Sequence, residues 1–269
     1  MKHRLIDHHV HTQYSPDANC EATMEKYMLK AQSLGKDAVI FSDHVDMDTP
    51  VELFSTYPDY EAYYQKVKRL STSNFKVLMG VEIGYQAHLK KALNTFSSEH
   101  PFDFVIASIH AGDGLDFYNG DFFKHTSMED AIKRYFEIVL EMVKNYDNYD
   151  ILGHIDYIIR YGDTSVNDYD INQYQPLLDE ILTTVIQQGK GIEINTSGLR
   201  NHLNLFHPKK ALLKRYKDLG GTLITIGSDA HTVDDLYAGF DEALSLLKSL
   251  GFKYLARFEN RVPTLIPID

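Results

Sequence analysis

The run Asp7-His8-His9-Val10-His11 sets two imidazoles one residue apart, a spacing at which a strand can chelate a metal ion. Side chains alternate along a strand, so Asp7, His9 and His11 share one face while His8 turns away with Ile6 and Val10. Same-face neighbours lie roughly 6–7 Å apart, within reach of a single ion. Ser228-Asp229-Ala230-His231 repeats the arrangement with Asp229 and His231. Four further candidates, His44, Glu82, His110 and His154, fall at the ends of separate short apolar runs. Imidazole mixed with carboxylate suits Zn, Fe or Mn better than Ca or Mg. Glu82, on a strand of its own, is placed to bridge two ions. Any one of these histidines taken alone reads as a hydrogen-bonded rim or core residue. Two same-face pairs together with four separate strand ends read as a metal site. Of the thirteen histidines, His3, His88, His100 and His125 fall off the strand ends and read as surface residues. His202 and His207 follow the sixth strand and read as rim residues that could approach the site.

Strand-like runs over 5–11, 38–44, 77–84, 104–110, 151–156, 191–196 and 223–229 alternate with helical patterns, which predicts an α/β fold. Met24, Met28, Ala31 and Leu34 recur at helical spacing and stop at Gly35, a C-cap signal. Ile132, Phe136, Val139 and Val143 line one face of the longest helix, and Leu177, Leu178, Ile181 and Val185 line another. Pro208 reads as a first-turn proline ahead of Ala211, Leu212 and Tyr216. Phe240, Ala243, Leu244 and Leu247 mark a last helix, and the run 252–258 an eighth strand or a terminal tail. No linker or repeat interrupts residues 1–269, so they read as a single domain, either a closed or nearly closed barrel or an open doubly wound sheet. Both architectures place ligands at the carboxyl ends of the strands.

The composition removes several function classes. A single Cys20 excludes an internal disulfide, a Cys-based zinc knuckle and a CxxC redox pair, and fits a reducing, cytoplasmic setting. No apolar run approaches the roughly 20 residues of a membrane span. Met-Lys-His-Arg leads straight into a strand-like run, so no secretory signal is expected. A formal net charge of −11 argues against nucleic-acid binding through the overall field. The sequence contains no Gly-x-Ser-x-Gly elbow, phosphate-cradling Gly-x-x-x-x-Gly-Lys or His-Glu-x-x-His. Cys20 is followed six positions on by Lys26, not Arg, and the acid pairs Asp46-Met47-Asp48 and Asp168-Tyr169-Asp170 lack the context of an aspartyl-phosphate phosphatase. Oligomeric state is left open.

Taken in order, Asp7-His8-His9-Val10-His11-Thr12 with Ser15-Pro16-Asp17-Ala18, Ser42-Asp43-His44, Gly80-Val81-Glu82, Ser108-Ile109-His110, Gly153-His154-Ile155-Asp156 and Gly227-Ser228-Asp229-Ala230-His231 resemble the PHP (polymerase and histidinol phosphatase) superfamily. Gly153 to Arg160, Ile192-Glu193-Ile194-Asn195-Thr196-Ser197-Gly198-Leu199-Arg200 and the chain length look most like its stand-alone histidinol-phosphate phosphatases. The resemblance implies a distorted seven-stranded (β/α) barrel and two to three divalent transition metals. By the same resemblance His9, His11, Glu82 and Asp229 would hold one ion, Glu82, His110 and His154 a second, and Asp17, His44 and His231 a third. Many superfamily members carry His where this chain has Asp17, which can still ligate.

The implied activity is hydrolysis of the phosphomonoester L-histidinol phosphate, a step of histidine biosynthesis. Neighbouring divalent ions activate water and clamp phosphoryl oxygens. Arg160, six residues past His154, is the expected phosphate contact, its planar fork matching phosphate geometry, and Arg200 the second candidate. Asp17 or His231 could protonate the leaving alkoxide. The loop Gly112-Asp113-Gly114-Leu115-Asp116 supplies acids for the substrate amine, with Asp113 the expected contact. Three rivals stand beside this reading. One is a phosphoesterase of the same superfamily acting on a nucleotide, phosphotyrosine or sugar phosphate. Another is an amidohydrolase-type barrel, which usually adds a carboxylated lysine that no strand end here offers. The third is a degenerate, non-enzymatic metal-binding module, which should have lost ligand positions.

Overall fold

The computed structural model describes residues 4–162, 169–201 and 203–268; His3, His202 and Asp168, singled out above, lie outside the described residues. A parallel sheet forms the centre. Its strands are β1 (Ala38–Phe41), β2 (His44–Val45), β3 (Lys76–Gly84), β4 (Phe104–Ser108), β7 (Ile151–Leu152), β8 (Gly191–Asn195) and β9 (Ile224–Gly227). They run in the order β1-β3-β4-β7-β8-β9, with β2 continuing past β1 along β3. The small hairpin β5 (Ala111–Gly112) and β6 (Leu115–Asp116) interrupts the path after β4.

The expected first strand is extended but forms no ladder. Residues 5–11 bridge the two edges of the curled sheet. His8 N–H donates to Ile226 O (3.3 Å) and His11 N–H to Ala230 O (2.9 Å), while Val10 O accepts from Ser42 N–H (2.9 Å). Several of its other amides are taken by side chains: His9 N–H by Asp7, Val10 N–H by Ser42 Oγ and Thr12 N–H by Asp43. A segment whose donors go to side chains cannot build a regular ladder, and its alternation breaks. Asp7 therefore leaves the face of His9 and His11 and accepts from the backbone of Ser228 and Tyr237. The seven sheet strands arise instead because the run 38–44 splits into β1 and β2.

Alternation holds in the ladder strands. Ile40, Leu78, Ile106 and Ile151 point into the curled sheet and pack with Ile6 and Phe104. Their neighbours Val39, Met79, Val105 and Leu152 face the surrounding helices. The helices are α1 (Met24–Ser33), α2 (Tyr60–Leu70), α3 (Lys90–Glu99), α4 (Met128–Asn145), α5 (Gln175–Gln187), α6 (Lys210–Asp218) and α7 (Phe240–Ser249). Ser127 caps α4 by accepting from Asp130 N–H, and the helix buries Ile132, Phe136, Val139 and Val143 as their spacing predicts. Pro208 lies ahead of α6 rather than in its first turn, because His207 and Asn195 exchange backbone hydrogen bonds there and hold the chain extended. The run 252–258 does form a strand, but in a separate two-stranded sheet and not as an eighth strand of the central one. β10 (Tyr254–Glu259) pairs antiparallel with β11 (Val262–Pro267), and Ala256 and Phe258 close the floor of the curled sheet. Among the described residues no helix is long and apolar enough to cross a membrane.

Candidate metal centre

The carboxyl ends of the strands deliver one cluster. Parallel register sets His44 of β2 directly beside Glu82 of β3, so the two side chains meet at 3.0 Å. Asp229, just past β9, has φ +54°, a left-handed conformation that is costly for a residue with a Cβ and that typically persists where function needs it. Its carboxylate lies 3.3 Å from His11 Nε2 and 3.7 Å from His9 Nε2. The Glu82 carboxylate is the hub. Besides His44 it meets His154 at 2.9 Å, His9 at 3.2 Å, His110 at 3.4 Å and His11 at 3.5 Å. Asp17 stands at the outer edge, 3.1 Å from His231 and 3.7 Å from His44. All nine residues expected as ligands are thus gathered in one place.

Donor chemistry and unmet valence both fit metal ions. His9, His11 and Asp229 present ligand atoms within 4.8 Å of one another, as do His9, Glu82 and His154, then His44, Glu82 and His110, and His11, His44 and His231. His9 Nε2, His11 Nε2, His44 Nδ1, Glu82 Oε2 and His231 Nε2 are buried without a hydrogen-bond partner. Orphans of that kind are rare and costly, and bound cations would satisfy them together.

The far side of three rings is pinned. His9 Nδ1–H donates to Glu193 (2.7 Å) and His110 Nδ1–H to Asp46 (2.8 Å). Asp46 fits there because Gly84 has no side chain; a Cβ would come within 1.7 Å of its Oδ1. His11 Nδ1–H donates to Ser15 Oγ (3.1 Å), which donates onward to Asp43. Asp43 also accepts from Thr12 and from Tyr63 OH. Each of these bonds leaves Nε2 as the lone-pair atom facing the cluster.

Charge follows from this geometry. Burial opposes ionisation of Glu82, but His9, His110 and His44 outweigh it and hold the carboxyl well below the usual carboxylate range. Burial likewise opposes charge on Asp229, and His9 with His11 and His231 outweighs it. Burial disfavours a charged His9, yet Glu193 and Glu82 raise it well above the ordinary imidazole range; Asp17 and Glu82 do the same for His44. His11 is pushed down to about 3 by burial and by the neighbouring His44 and His231. A site that raises several imidazoles at once is built to hold positive charge, and metal ions compete with protons for the same lone pairs.

A family model for the PHP domain matches residues 7–197. The chain belongs to the PHP domain family. A histidinol-phosphatase from Lactococcus lactis is 32% identical over 96% of this chain and 95% of its own length. A Clostridium acetobutylicum relative is 31% identical over 96% of this chain and 98% of its own. The crystal structure of histidinol phosphate phosphatase from Lactococcus lactis, complexed with zinc, L-histidinol and phosphate, superposes with a TM-score of 0.89 at 29% identity, covering 97% of this chain and 99% of that one. The curled parallel sheet with surrounding helices is therefore the PHP fold.

In this PHP domain the cluster floors a cavity of about 440 Å³, within the range of small-molecule sites. Arg160 and Arg200 both line it, as do Asp17 and His231. Arg160 reaches over the rings of Tyr157 and Tyr161 (5.4 and 5.9 Å), and among the described residues no carboxylate pairs with it. Arg200 is engaged: its Nη2 donates to the carbonyls of Ser228 (2.7 Å) and Asp229 (3.2 Å), and its Nε meets Asp235. Asp113 does not reach the cavity. It occupies the Asp-Gly turn of the β5–β6 hairpin at φ +54°, and Arg134 takes its carboxylate with two bonds of 2.8 Å. Asp116, three residues on, lines the cavity beside Tyr118. His207 is not a rim residue either: it is fully buried and donates to Asp156 (2.8 Å). Glu193, Asp46 and Asp43 were missed as functional residues. Each left a signal, as an acid inside an apolar strand or one or two positions from a ligand-type histidine.

Proposed function

We propose that this chain is a metal-dependent phosphomonoesterase that hydrolyses L-histidinol phosphate to L-histidinol and phosphate. One juxtaposition carries it: an arginine that no carboxylate among the described residues pairs with shares a cavity with a carboxylate–imidazole cluster. The substrate is that bound as products by the Lactococcus lactis enzyme, to which this chain is similar along its length. Two to three ions of Zn, Fe or Mn would be held here, the first by His9, His11, Glu82 and Asp229, the second by Glu82, His110 and His154, and the third by Asp17, His44 and His231, as the family resemblance implies. When bound, such ions polarise phosphoryl oxygens and activate water for attack. Residues 1–269 act as one cytoplasmic unit, since the C-terminal hairpin packs into the floor of the curled sheet.

Arg160 neutralises the phosphoryl oxygens from the cavity wall. His231 Nδ1–H donates to the Asp229 carbonyl (3.0 Å), which leaves Nε2 a lone pair. That edge faces Asp17 at 3.1 Å; burial opposes charge on His231, but Asp17 and Asp229 outweigh it, so Nε2 can ligate or, with Asp17, hold the proton for the leaving alkoxide. In the same cavity, Asp116 with the aromatic rings of Phe54 and Tyr118 suits the ammonium of histidinol.

Phosphate release from histidinol phosphate, a nucleoside monophosphate, phosphotyrosine and a sugar phosphate at fixed Mn or Zn tests the reading. Histidinol phosphate is expected to exceed the others in kcat/KM, and chelation to abolish release until metal is restored. A preference for another phosphomonoester overturns the substrate; activity indifferent to chelation overturns the metal dependence.

Asp116→Asn tests the amine contact. Removing one charge-assisted bond of roughly 1.5–3 kcal/mol should cost about 10- to 100-fold in kcat/KM for histidinol phosphate. Hydrolysis of p-nitrophenyl phosphate, which has no amine, should be unchanged. An equal loss on both substrates would make Asp116 a loop anchor, through its bond from Asn119 N–H, and nothing more.

A further inference from the structure

We propose that Glu193 is a positioning residue that sets His9 and His154 at a fixed spacing toward the metal centre; this rests on the metal reading above. Glu193 is a buried carboxylate in the middle of β8, whose neighbours Ile192 and Ile194 are apolar. Burying that charge is expensive unless it is fully engaged. It is: Oε1 accepts from His9 Nδ1 (2.7 Å), and Oε2 accepts from His154 N–H (3.1 Å) and Asn195 Nδ2 (3.2 Å). Asn195 Nδ2 also lies 3.4 Å from Asp229 Oδ2. One carboxylate thus ties the ring of His9 and the main chain of His154, two residues far apart in sequence whose rings stack at 5.8 Å beside Glu82.

Glu193 is not itself a ligand. Its oxygen meets the Nδ1 edge of His9, while the His9 Nε2 edge faces Glu82 and Asp229. Nor does β8 need it for pairing, because the register to β9, Ile192↔Ile224 through Asn195↔Gly227, is made by the backbone. Room for the contact comes from Gly227. A Cβ there would stand 2.0 Å from Glu193 Oε1 and 2.4 Å from His9 Cβ. The glycine has no positive φ to explain it, so close approach is its reason.

The test is Glu193→Gln, compared with the parent after stripping and reloading with zinc, by competition against a chromogenic chelator. The amide keeps the size but sets an NH₂ group against either His9 Nδ1–H or His154 N–H. Loss of such a supporting bond typically costs about 10- to 100-fold in metal affinity, and that drop is expected for the tightest ion, with the far-UV circular dichroism of the stripped protein unchanged. Glu193→Ala, which removes both oxygens, should lose at least as much. Parent affinity in Glu193→Gln overturns the proposal. Should the variants not fold, long-range ¹H–¹⁵N spectra of the zinc-loaded parent decide: a His9 ring protonated at Nδ1 supports it, and one ligating through Nδ1 overturns it. A parent that takes up no zinc overturns the metal reading instead, and the two failures are told apart by that control.

Discussion

Glu82→Gln is expected to lower turnover with histidinol phosphate by about 10³-fold or more, the scale of losing a principal electrostatic stabiliser. No other side chain in the cluster touches as many of its members. His9, His11, His44, His110 and His154 all approach its two oxygens at 2.9–3.5 Å, and Ser108 Oγ donates to Oε1 at 2.6 Å. Burial opposes its charge, and His9, His110 and His44 outweigh burial, so the carboxylate is ionised throughout the pH range in which imidazoles titrate. Glutamine keeps the length and one acceptor oxygen. It removes the negative charge at the centre of five imidazoles and turns an NH₂ donor toward nitrogens that cannot all accept from it. Metal content should therefore fall with activity, which elemental analysis of the same sample reads out. A variant with near-normal turnover and a full metal complement would take Glu82 out of the site.

The reason Glu82 could be picked from sequence also marks where such reading stops. Strand ends are legible because short runs of Ile, Val, Leu and Phe end in a residue that has no business in a core, and parallel strands put those ends on one side. His44, Glu82, His110, His154 and Asp229 follow that rule. The segment 5–11 has a strand's composition but not its hydrogen bonds, because Asp7, Ser42 and Asp43 compete for its amides. That competition is a tertiary fact, and it moved Asp7 away from His9 and His11. Asp113 and Asp116 differ by three positions, and only the conformation of the turn between β5 and β6 separates a surface ion pair from a cavity wall. Here the Asp-Gly pair did carry a signal, since it favours a tight hairpin turn and so assigns Asp113 to the turn. α2 and α3 bury tyrosine and phenylalanine alongside few aliphatic residues, among them Tyr60, Tyr63 and Phe96, and so lack the plain aliphatic stripe that marks α4.

Arg160→Gln should lower kcat/KM for histidinol phosphate by about 10- to 10³-fold, the loss of one or two charge-assisted bonds of roughly 1.5–3 kcal/mol each. The loop that carries it is tied down on both sides of the site. Asp156 accepts from His207 Nδ1 and from Lys209 N–H, and Tyr157 stacks on His154 with ring centres 4.1 Å apart. Arg160 then lies against Tyr157, its Nη1 3.5 Å from the phenol oxygen. A guanidinium held over aromatic faces and not neutralised by a carboxylate among the described residues keeps its donors for an anion entering the cavity. Arg200 contrasts with it, because its donors hold the carbonyls of Ser228 and Asp229 and so hold the ligand-bearing turn. Glutamine at 160 keeps polarity and loses the charge, and metal content should be unchanged because arginine does not ligate. Inorganic phosphate should inhibit the parent competitively and the variant less. An amidohydrolase cutting C–N bonds would show no such dependence on phosphate. Unaltered turnover together with unaltered phosphate inhibition would return Arg160 to a loop arginine, and phosphate recognition would then have to come from the metal ions alone.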